Sequence, residues 1–496
     1  MDENKAKLFF DLPDEAATAA LAEDLAIVLM RGDVIALTGD LGAGKTTFAR
    51  GLLRAFVDDA GLEVPSPTFT LVQTYSGGRL PVAHFDFYRL SLADELDEIG
   101  FDDAVADGAV IIEWPERAVS RLPAERIELS FEIAGAGRKV TIVGQGSLIA
   151  RFRRSRAIRG FLERANWRHA ARRHLQGDAS SRTYERIGLS DRKAVLMDWP
   201  PRSLDVAADN KRGIYRARDV RSFVAVDAAL RDCGLSAPEL YADDNEAGFL
   251  LMEDLGRQGV VADASPIAER YSDAIAALAQ IHMHRRTAEL PLPDGTLHHL
   301  PAYSSAALAA ELDLYLDWYI PHLTGEPPNS AARAEFSGLW APLLDRLDRA
   351  ERSWVLLDVH SPNLLWLPDR EGIRRIGFLD FQDAMIGPTA YDVASLAQDA
   401  RSTVPPDLER ELVDQYVNMR KTGDGDFDAE RFAEAYAILC VQRATRILGV
   451  FARLADHAGK RGYLNHVPRV RGYLARSLAY PVMSSLSLWY ERHRLL

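Results

Sequence analysis

A glycine-rich stretch of eight residues constrains the fold of this chain more than any other feature. Residues 39–46 read Gly-Asp-Leu-Gly-Ala-Gly-Lys-Thr and follow the apolar, partly β-branched run Val34–Thr38, which predicts a buried strand. Residues 46–53 continue with helical spacing. In this context glycines let successive backbone N–H groups point inward, and the N-terminus of the helix adds positive dipole. The stretch therefore predicts a phosphate-binding loop between a strand and a helix of an α/β domain.

The loop also carries side chains suited to a nucleotide and its metal ion. The spacing places Lys45 where it can reach the β- and γ-phosphates, and the Thr46 hydroxyl where it can bind magnesium. We therefore predict an ATP and Mg²⁺ site. Its predicted nucleotide-binding residues are Gly39, Gly42, Ala43, Gly44, Lys45, Thr46 and Thr47.

ATP hydrolysis needs, besides the loop, a second magnesium carboxylate and a group that orients water. Two carboxylates follow the loop in suitable contexts. Glu113 ends the apolar run Ala109–Glu113, as the acidic residue of a Walker B strand does. Asp86 lies in residues 83–89, where apolar and polar residues alternate as in a strand with one active face. Both are predicted catalytic residues, and the sequence leaves open which of them holds magnesium.

Composition places the chain among globular proteins of more than one domain. Its 496 residues correspond to roughly three domains, and the 47% apolar and 26% charged fractions are ordinary. Only two cysteines occur, Cys233 and Cys440, which argues against an oxidising compartment and against a cysteine-based metal cluster. The polar start and the lack of a long apolar run predict neither export nor membrane insertion. We expect a cytoplasmic protein.

Charge is distributed unevenly along the chain. The net charge is −13, yet residues 151–174 hold nine arginines against one glutamate. Acidic domains of this kind are not expected to bind nucleic acid directly. The basic stretch is predicted to be a solvated or domain-bridging helix, and the alternative is that it meets an anionic partner such as RNA. It also marks the predicted domain junction.

The first 150 residues resemble a known family through four motifs in order. These are residues 39–47, residues 66–69 (Ser-Pro-Thr-Phe), residues 84–89 (His-Phe-Asp-Phe-Tyr-Arg) and the pair Glu113-Trp114. Together they resemble the bacterial TsaE-type ATPase, which serves the machinery that makes threonylcarbamoyladenosine in tRNA. The resemblance spans about residues 8–148. It implies Thr68 as a switch-like residue near the γ-phosphate, Trp114 as a nucleotide neighbour, and a slow ATPase that depends on the partner proteins of the threonylcarbamoyl transferase complex.

The second half carries a different set of residues suited to phosphate transfer. Asp358 and Asn363 frame a proline-containing loop, and Asp380 follows a second apolar strand. In a kinase-type site one carboxylate accepts the proton of the substrate hydroxyl, an amide five residues later binds magnesium, and another carboxylate binds the same metal. We therefore predict Asp358 as a catalytic residue, with Asn363 and Asp380 as metal ligands. His360 is predicted to approach the transferring phosphate.

This half resembles the aminoglycoside phosphotransferase and choline kinase superfamily, and more closely its AmgK-type N-acetylmuramate/N-acetylglucosamine kinase branch. The resemblance covers about residues 165–490 and implies ATP-dependent phosphorylation of the anomeric hydroxyl of a sugar in cell-wall recycling. It also implies Glu253 as a hinge residue that binds nucleotide and Asp392 as a brace for the catalytic loop. The motifs that carry it lie at residues 177–181, 197–201, 252–256, 360–367 and 380–384.

Two departures from the superfamily pattern keep an alternative open. Leu356 stands where a histidine usually precedes the catalytic aspartate, and Met197 stands near the place of the nucleotide-binding lysine, with Lys193 and Lys211 as the nearest lysines. The alternatives are another small hydroxyl substrate, such as an aminoglycoside or a choline-like compound, or a regulatory module that binds nucleotide without turnover.

The predicted fold is a P-loop NTPase domain followed by a two-lobed, protein-kinase-like α+β domain. The predicted boundaries are residues 1–150 for the ATPase domain, 151–174 for a basic helical linker, 175–256 for the small lobe with its hinge, and 257–496 for the helical large lobe.

Overall fold

A seven-stranded mixed sheet forms the framework of the N-terminal part. Its strands lie in the order β1-β7-β6-β2-β5-β4-β3, with β2, β4, β5 and β6 parallel at the centre and antiparallel pairs at both sides. The computed structural model describes residues 6–90, 92, 94–175, 182–201, 216–283 and 287–495. The strands are β1 (Ala6–Leu12), β2 (Val34–Thr38), β3 (Val72–Tyr75), β4 (Val82–Asp86), β5 (Ala109–Glu113), β6 (Ile127–Ala134) and β7 (Gly137–Gly144).

Both faces of this sheet are covered, which explains the continuous apolar runs of its central strands. In β2, Ile35 and Leu37 belong to one apolar core, and Val34 belongs to the core on the opposite face. The first core contains residues of α1 and α2, and the second contains Phe101 of α4. The helices are α1 (Glu15–Ala26), α2 (Lys45–Val57), α3 (Glu95–Glu98), α4 (Phe101–Asp107) and α5 (Ser147–Arg164).

Three predictions for this sheet are confirmed, and one needs adjustment. The strands predicted at Val34–Thr38 and Ala109–Glu113 and the helix after the glycine loop are present. The strand predicted over residues 83–89 ends at Asp86 instead. Phe87 makes the last bond of this ladder, because it donates its N–H to the carbonyl of Glu113, where β5 ends.

A second sheet has five strands in the order β11-β12-β10-β9-β8. Its strands are β8 (Ala171–Leu175), β9 (Thr183–Leu189), β10 (Arg192–Asp198), β11 (Leu240–Asp244) and β12 (Phe249–Glu253). The described residues through Asp198 form one compact unit with Tyr241–Asp244 and Phe249–Met252, so this unit contains both the first sheet and most of the second. The interval 151–174, predicted to be a helical linker, holds most of α5, which ends at Arg164, and then most of the strand β8.

Most arginines of the basic stretch form ion pairs inside this first unit. Asp24 of α1 accepts hydrogen bonds from Arg156, Arg159 and Arg172, and Arg172 also bonds to Glu185 of β9 at 2.7 Å. Asp24 and Arg172 have no exposed side-chain surface. The positive charge of α5 and β8 is thus matched by carboxylates of neighbouring elements, because burying unpaired charge is costly.

The second unit contains the remaining described residues and is mainly helical. Its helices are α6 (Val220–Asp232), α7 (Ala268–His282), α8 (Ser305–Leu314), α9 (Ile320–Thr324), α10 (Ser330–Leu347), α11 (Ala390–Ala397), α12 (Pro406–Gly423), α13 (Ala429–Asp456), α14 (Val467–Ser477) and α15 (Ser484–Arg492). Within the described ranges, α13 alone has the length and apolar composition that a membrane span requires, and 83% of its most apolar window is buried inside the structure.

The second unit contains short strand pairs, and two of them hold the ends of the predicted catalytic loop. They are β13 (Val261–Ala262) with β14 (Ser265–Pro266), β15 (Glu289–Pro291) with β16 (Leu297–His299), β17 (Arg352–Val355) with β20 (Met385–Pro388), and β18 (Leu364–Trp366) with β19 (Ile376–Phe378). The loop that contains Asp358 connects β17 to β18, and Asp380 follows β19. The antiparallel β18–β19 pair therefore brings the two predicted metal-binding segments together.

Candidate functional sites

The glycine loop adopts a backbone that side chains larger than hydrogen would disturb. Gly39 has φ +134°, and a Cβ atom added there would lie 2.5 Å from the carbonyl oxygen of Phe131. Gly44, at φ +110°, precedes the first residue of α2. Arg138 of β7 fixes the loop from outside, because its Nε donates to the carbonyl of Ala43 at 2.9 Å and its Nη2 donates to that of Gly42 at 3.2 Å. These contacts fix the shape of the loop.

Lys45 is held within the loop. Its ammonium donates to the carbonyls of Gly39 at 2.6 Å and Asp40 at 3.0 Å, and it lies 3.8 Å from the ring centroid of Trp114. Only 4% of the residue is exposed. Burial lowers the pKa of Lys45, and nearby carboxylates, Glu113 foremost, oppose that shift. The structure thus brings together three residues that the sequence predicted for nucleotide binding.

The Thr46 hydroxyl and Glu113 are in direct contact. Thr46 Oγ1 donates to Glu113 Oε2 at 2.9 Å, across 67 positions of sequence. The other carboxylate oxygen lies 3.1 Å from Nε2 of His84, which is fully buried. His84 fixes the carboxylate so that its second oxygen faces the hydroxyl. A hydroxyl beside a carboxylate is an oxygen donor set of the kind that Mg²⁺ prefers.

Asp86 occupies the neighbouring strand end and has different partners. It stands opposite Glu113 in the parallel β4–β5 register. Its Oδ2 accepts hydrogen bonds from the hydroxyls of Ser66 at 2.7 Å and Thr68 at 2.8 Å, and its Oδ1 accepts from the N–H of Tyr88 at 2.9 Å. The predicted switch residue Thr68 is therefore tied to Asp86, whereas the predicted magnesium hydroxyl is tied to Glu113.

The catalytic loop of the second unit is anchored by Asp392. The two oxygens of this fully buried carboxyl group accept hydrogen bonds from the N–H groups of Leu356 at 2.7 Å and Leu357 at 3.0 Å. Leu357 has φ +68°, a strained conformation for a leucine. Burial raises the pKa of Asp392 to about 7, although the two N–H donors act in the opposite direction. These contacts lie on the catalytic loop, where the resemblance predicts a brace.

Asn363 and Asp380 lie on segments that are bonded to each other. Asn363 donates its side-chain N–H to the carbonyl of Asp358 at 2.9 Å and accepts the N–H of Leu379 at its own carbonyl at 2.9 Å. Asp380 has φ +59°, and its Oδ1 accepts a hydrogen bond from Gln382 at 3.1 Å. An amide oxygen and a carboxylate at this place form a second oxygen donor set suited to Mg²⁺.

Asp358 is surrounded by cationic groups. Burial disfavours its ionisation, but nearby guanidiniums, that of Arg216 foremost, outweigh burial and lower the pKa of Asp358 below its usual range. Burial also lowers the pKa of His360. At neutral pH these shifts leave a carboxylate beside a neutral imidazole, which is the state that a proton acceptor requires.

Other predicted site residues lie elsewhere. Glu253 accepts a hydrogen bond from Arg370 at 2.5 Å and from the N–H of Glu239 at 3.3 Å. Met197 is fully buried, and Lys193 is exposed on β10. The predicted loop at residues 177–181 and Lys211 fall outside the described residues. In the described ranges no group of three or more His, Cys, Asp or Glu residues could hold a metal ion by itself.

Four residues that contribute to these sites were not predicted from the sequence. His84 was visible only as part of a motif, and the arginines at positions 138, 216 and 446 stand in no recognisable pattern. Arg138 reaches the glycine loop across 95 positions of sequence. Pairing of this kind depends on the neighbour order of the strands, so local spacing offered no signal for it.

Comparison with known proteins matches two separate stretches of the chain. The model of the threonylcarbamoyl adenosine biosynthesis protein TsaE matches residues 12–140, and that of the phosphotransferase enzyme family matches residues 171–434. An N-acetylmuramate/N-acetylglucosamine kinase of Caulobacter vibrioides is 33% identical over 357 residues, which is 68% of this chain and 96% of that protein. The tRNA threonylcarbamoyladenosine biosynthesis protein TsaE of Rickettsia felis is 36% identical over 142 residues, or 28% of this chain and 82% of that protein.

Proposed function

The chain belongs to both the TsaE family and the phosphotransferase enzyme family, and on this premise we propose that it is a bifunctional enzyme. The first activity is ATP hydrolysis in support of threonylcarbamoyladenosine modification of tRNA. The second is ATP-dependent phosphorylation of N-acetylmuramate or N-acetylglucosamine. The observation that carries the proposal is that each half has its own oxygen ligand types on neighbouring segments. Thr46 is bonded to Glu113 in the first half, and in the second half the carbonyl of Asn363 accepts the N–H of Leu379, the residue before Asp380. Both family resemblances predicted from the motifs are confirmed.

In the ATPase, the glycine loop would bind the phosphates and Lys45 would neutralise the charge that develops on them. Thr46 and Glu113 would hold Mg²⁺, which supplies electrostatic stabilisation of the phosphates when it is bound. The assignment of Glu113 rather than Asp86 rests on the 2.9 Å hydrogen bond between Thr46 and Glu113. Asp86, with the Thr68 hydroxyl, would orient the attacking water.

In the kinase, Asp358 would accept the proton of the anomeric hydroxyl of the sugar. As that proton moves to the carboxylate, the sugar oxygen forms a bond to the γ-phosphorus of ATP and the bond between this phosphorus and the β–γ bridging oxygen breaks. The products are the sugar 1-phosphate and ADP, and the proton passes from Asp358 to solvent. His360 would donate a hydrogen bond to the transferring phosphate, and Asn363 and Asp380 would hold the metal.

The alternative of a regulatory module without turnover is not favoured. In the catalytic loop the lowered pKa keeps Asp358 ionised, Asn363 donates to the carbonyl of Asp358, and Asp392 anchors the loop. The relatives that match this half are named as kinases. An aminoglycoside or choline-like acceptor finds no such support among these relatives. The proposal places both activities in the cytoplasm. It also makes the ATPase dependent on the partner proteins of tRNA modification.

Two substitutions test the proposal. Lys45→Ala should abolish ATP hydrolysis stimulated by the threonylcarbamoyl transferase proteins and leave sugar phosphorylation intact, because Lys45 belongs only to the first site. Asp358→Asn should do the reverse, and the kinase rate should fall by about two orders of magnitude or more. Hydrolysis is followed by phosphate release, and the kinase by detection of the sugar 1-phosphate.

The outcome that contradicts independent sites is loss of both activities in either variant while the protein stays folded. The acceptor assignment is tested separately with N-acetylmuramate, N-acetylglucosamine, choline and an aminoglycoside. If the wild-type protein phosphorylates neither sugar, the kinase proposal is wrong.

A further inference from the structure

A buried carboxylate of the second unit bonds to the later part of the catalytic loop. Asp399 has no exposed surface, and its Oδ2 accepts a hydrogen bond from the N–H of Ser361 at 2.7 Å. Ser361 begins a short 3₁₀ turn that follows His360. The bond therefore fixes the peptide group that joins His360 to Ser361.

Two further donors hold Asp399 in place. The Tyr271 hydroxyl of α7 donates to Oδ2 at 2.9 Å, and the N–H of Arg401 donates to Oδ1 at 2.7 Å. The three donors that the described residues supply are uncharged. The two oxygens of a carboxylate accept all of them, whereas the side chain of an asparagine has a single acceptor oxygen. The residue type at this position is thus matched to its three bonds.

One helix carries the contacts to both parts of the loop. Asp392 is the third residue of α11, and Asp399 follows the end of α11 by two positions. All eight residues of α11 are buried, and a helix of that length spans about 12 Å. Asp392 bonds to the loop before Asp358, and Asp399 bonds to it after His360. A single buried element therefore holds the loop on both sides of the residues proposed to act on the sugar and the phosphate.

The orientation of His360 depends on its backbone. Its ring nitrogen Nδ1 is buried and has no hydrogen-bond partner among the described residues. A bond at one ring nitrogen commonly fixes an imidazole, and here backbone bonds remain to do so. The N–H of His360 donates to the carbonyl of Asp358 at 3.1 Å, and its carbonyl accepts the N–H of Asn363 at 2.9 Å. The next N–H along the chain is the one that Asp399 accepts.

We propose that Asp399 is a positioning residue of the kinase, which fixes the peptide between His360 and Ser361 and so orients the imidazole towards the transferring phosphate. This inference rests on the proposed kinase function. The two carboxylates at α11 then have different roles, because Asp392 holds the segment before Asp358 and Asp399 holds the segment after it.

Asp399→Asn leaves one acceptor oxygen for three donors, so the bond to Ser361 competes with the other two. We expect kcat for sugar phosphorylation to fall by about tenfold to hundredfold, the effect of a small misplacement of a group at the reacting atoms. The KM for the sugar should stay within about twofold, since the imidazole acts on the phosphate. A normal kcat in the folded variant would overturn the proposal.

Glu409→Gln is the matched control. Glu409 of α12 is another buried carboxylate of the second unit, and it accepts hydrogen bonds from the Tyr436 hydroxyl at 2.8 Å and the Gln398 side chain at 2.7 Å. These partners lie outside the catalytic loop. The substitution should lower the Tm, but kcat should stay within about twofold of the wild type. An equal loss of kcat in both variants would overturn the proposal, because general destabilisation would then explain it.

A double-mutant cycle with His360→Ala separates positioning from a purely structural role. Since Asp399 acts through the imidazole, Asp399→Asn should lower kcat of the His360→Ala protein by no more than about twofold. Effects that multiply in the double variant would overturn the proposal, because Asp399 would then support something other than His360.

Tyr271→Phe tests the same carboxylate without removing it, and it keeps the proposal testable where Asp399→Asn fails to fold. The phenol is lost, but Oδ2 keeps its bond to the N–H of Ser361. We therefore expect kcat to stay within about threefold of the wild type. A fall of tenfold or more would overturn the proposal, since Asp399 would then act through α7. Failure of the wild-type enzyme to phosphorylate either sugar would instead overturn the kinase function itself.

Discussion

Arg172 of strand β8 donates a hydrogen bond to Asp24 of helix α1 at 2.6 Å, and neither side chain has exposed surface. Asp24 belongs to the residues matched by the TsaE model, and Arg172 to those matched by the phosphotransferase model. Arg172 also donates hydrogen bonds to Glu185 of β9. A buried ion cluster therefore joins segments of the two families within one unit.

This cluster should be a major determinant of stability. Asp24→Asn removes a charge that faces Arg156, Arg159 and Arg172, and it leaves those buried guanidiniums partly uncompensated. We expect a loss of about 3 kcal/mol in the free energy of unfolding, measured by urea denaturation. Asp107→Asn is the control, because Asp107 pairs with Arg31 at 4.0 Å on the surface and should change little. Equal effects of the two substitutions would contradict a structural role for the cluster.

The same aspartate should contribute to acid denaturation. Burial opposes its charge, but Arg172 and the other guanidiniums hold the pKa of Asp24 below its usual 3.8. A carboxyl group whose pKa is lowered by folding stabilises the folded state above pH 3.8. This stabilisation is lost as the pH falls through the pKa of the folded state. The Tm of the wild-type protein should therefore fall more steeply below about pH 4 than the Tm of Asp24→Asn. Parallel Tm curves for the two proteins would refute this source of acid sensitivity.

Asp86 should be required for ATP hydrolysis but not for sugar phosphorylation. Asp86→Asn replaces one acceptor oxygen by an amino group, so either the Ser66 and Thr68 hydroxyls or the Tyr88 N–H loses its acceptor. We expect partner-stimulated hydrolysis to fall by about two orders of magnitude. The exposed Asp102, which lies 3.5 Å from Arg121, provides the control Asp102→Asn. Normal hydrolysis by Asp86→Asn would exclude it as the residue that orients water.

Sugar phosphorylation should show no acidic limb near neutral pH. The pKa of Asp358 is lowered by Arg216 and the neighbouring cations against the effect of burial, and burial lowers the pKa of His360 below 6.5. Both groups therefore keep one protonation state above about pH 6.5. A profile of kcat/KM for the sugar should be flat from there to about pH 8. A limb with a midpoint near 7 that Asp358→Asn abolishes would show that this carboxyl is not held ionised.

Asp392 should act as a positioning residue for the catalytic loop. Asp392→Asn turns one of its two acceptors into a donor that faces the N–H of Leu356 or Leu357. We expect kcat to fall by about tenfold to hundredfold with a smaller change in the KM for the sugar, because the loop loses its anchor rather than its substrate contacts. The exposed Asp345 supplies the control Asp345→Asn. A change in KM alone would place Asp392 at the substrate instead.

Local sequence was a good guide wherever one segment creates a feature by itself. The glycine loop with its flanking strand and helix, the strand that ends at Glu113 and the catalytic loop of Asp358 were all predictable, since their backbones follow from nearby residues. The different roles of Asp86 and Glu113 could not be predicted from local sequence. It became visible only in the parallel register of β4 and β5, which places the two carboxylates side by side with different hydroxyls.

The sequence by itself determined two sets of phosphate-binding motifs and the families in which they occur. Glycine spacing, strand ends and short motifs are properties of local segments, so they can be recognised without the fold. The tertiary structure decided the partners of the charged residues. Nine arginines in one stretch predicted either a solvated helix or an anionic partner. In the folded chain, buried arginines of this stretch pair with carboxylates of the same unit. One of these is Asp24, which lies 148 positions from Arg172. A charge that leaves water needs an opposite charge in contact, and only the folded chain determines which one is near.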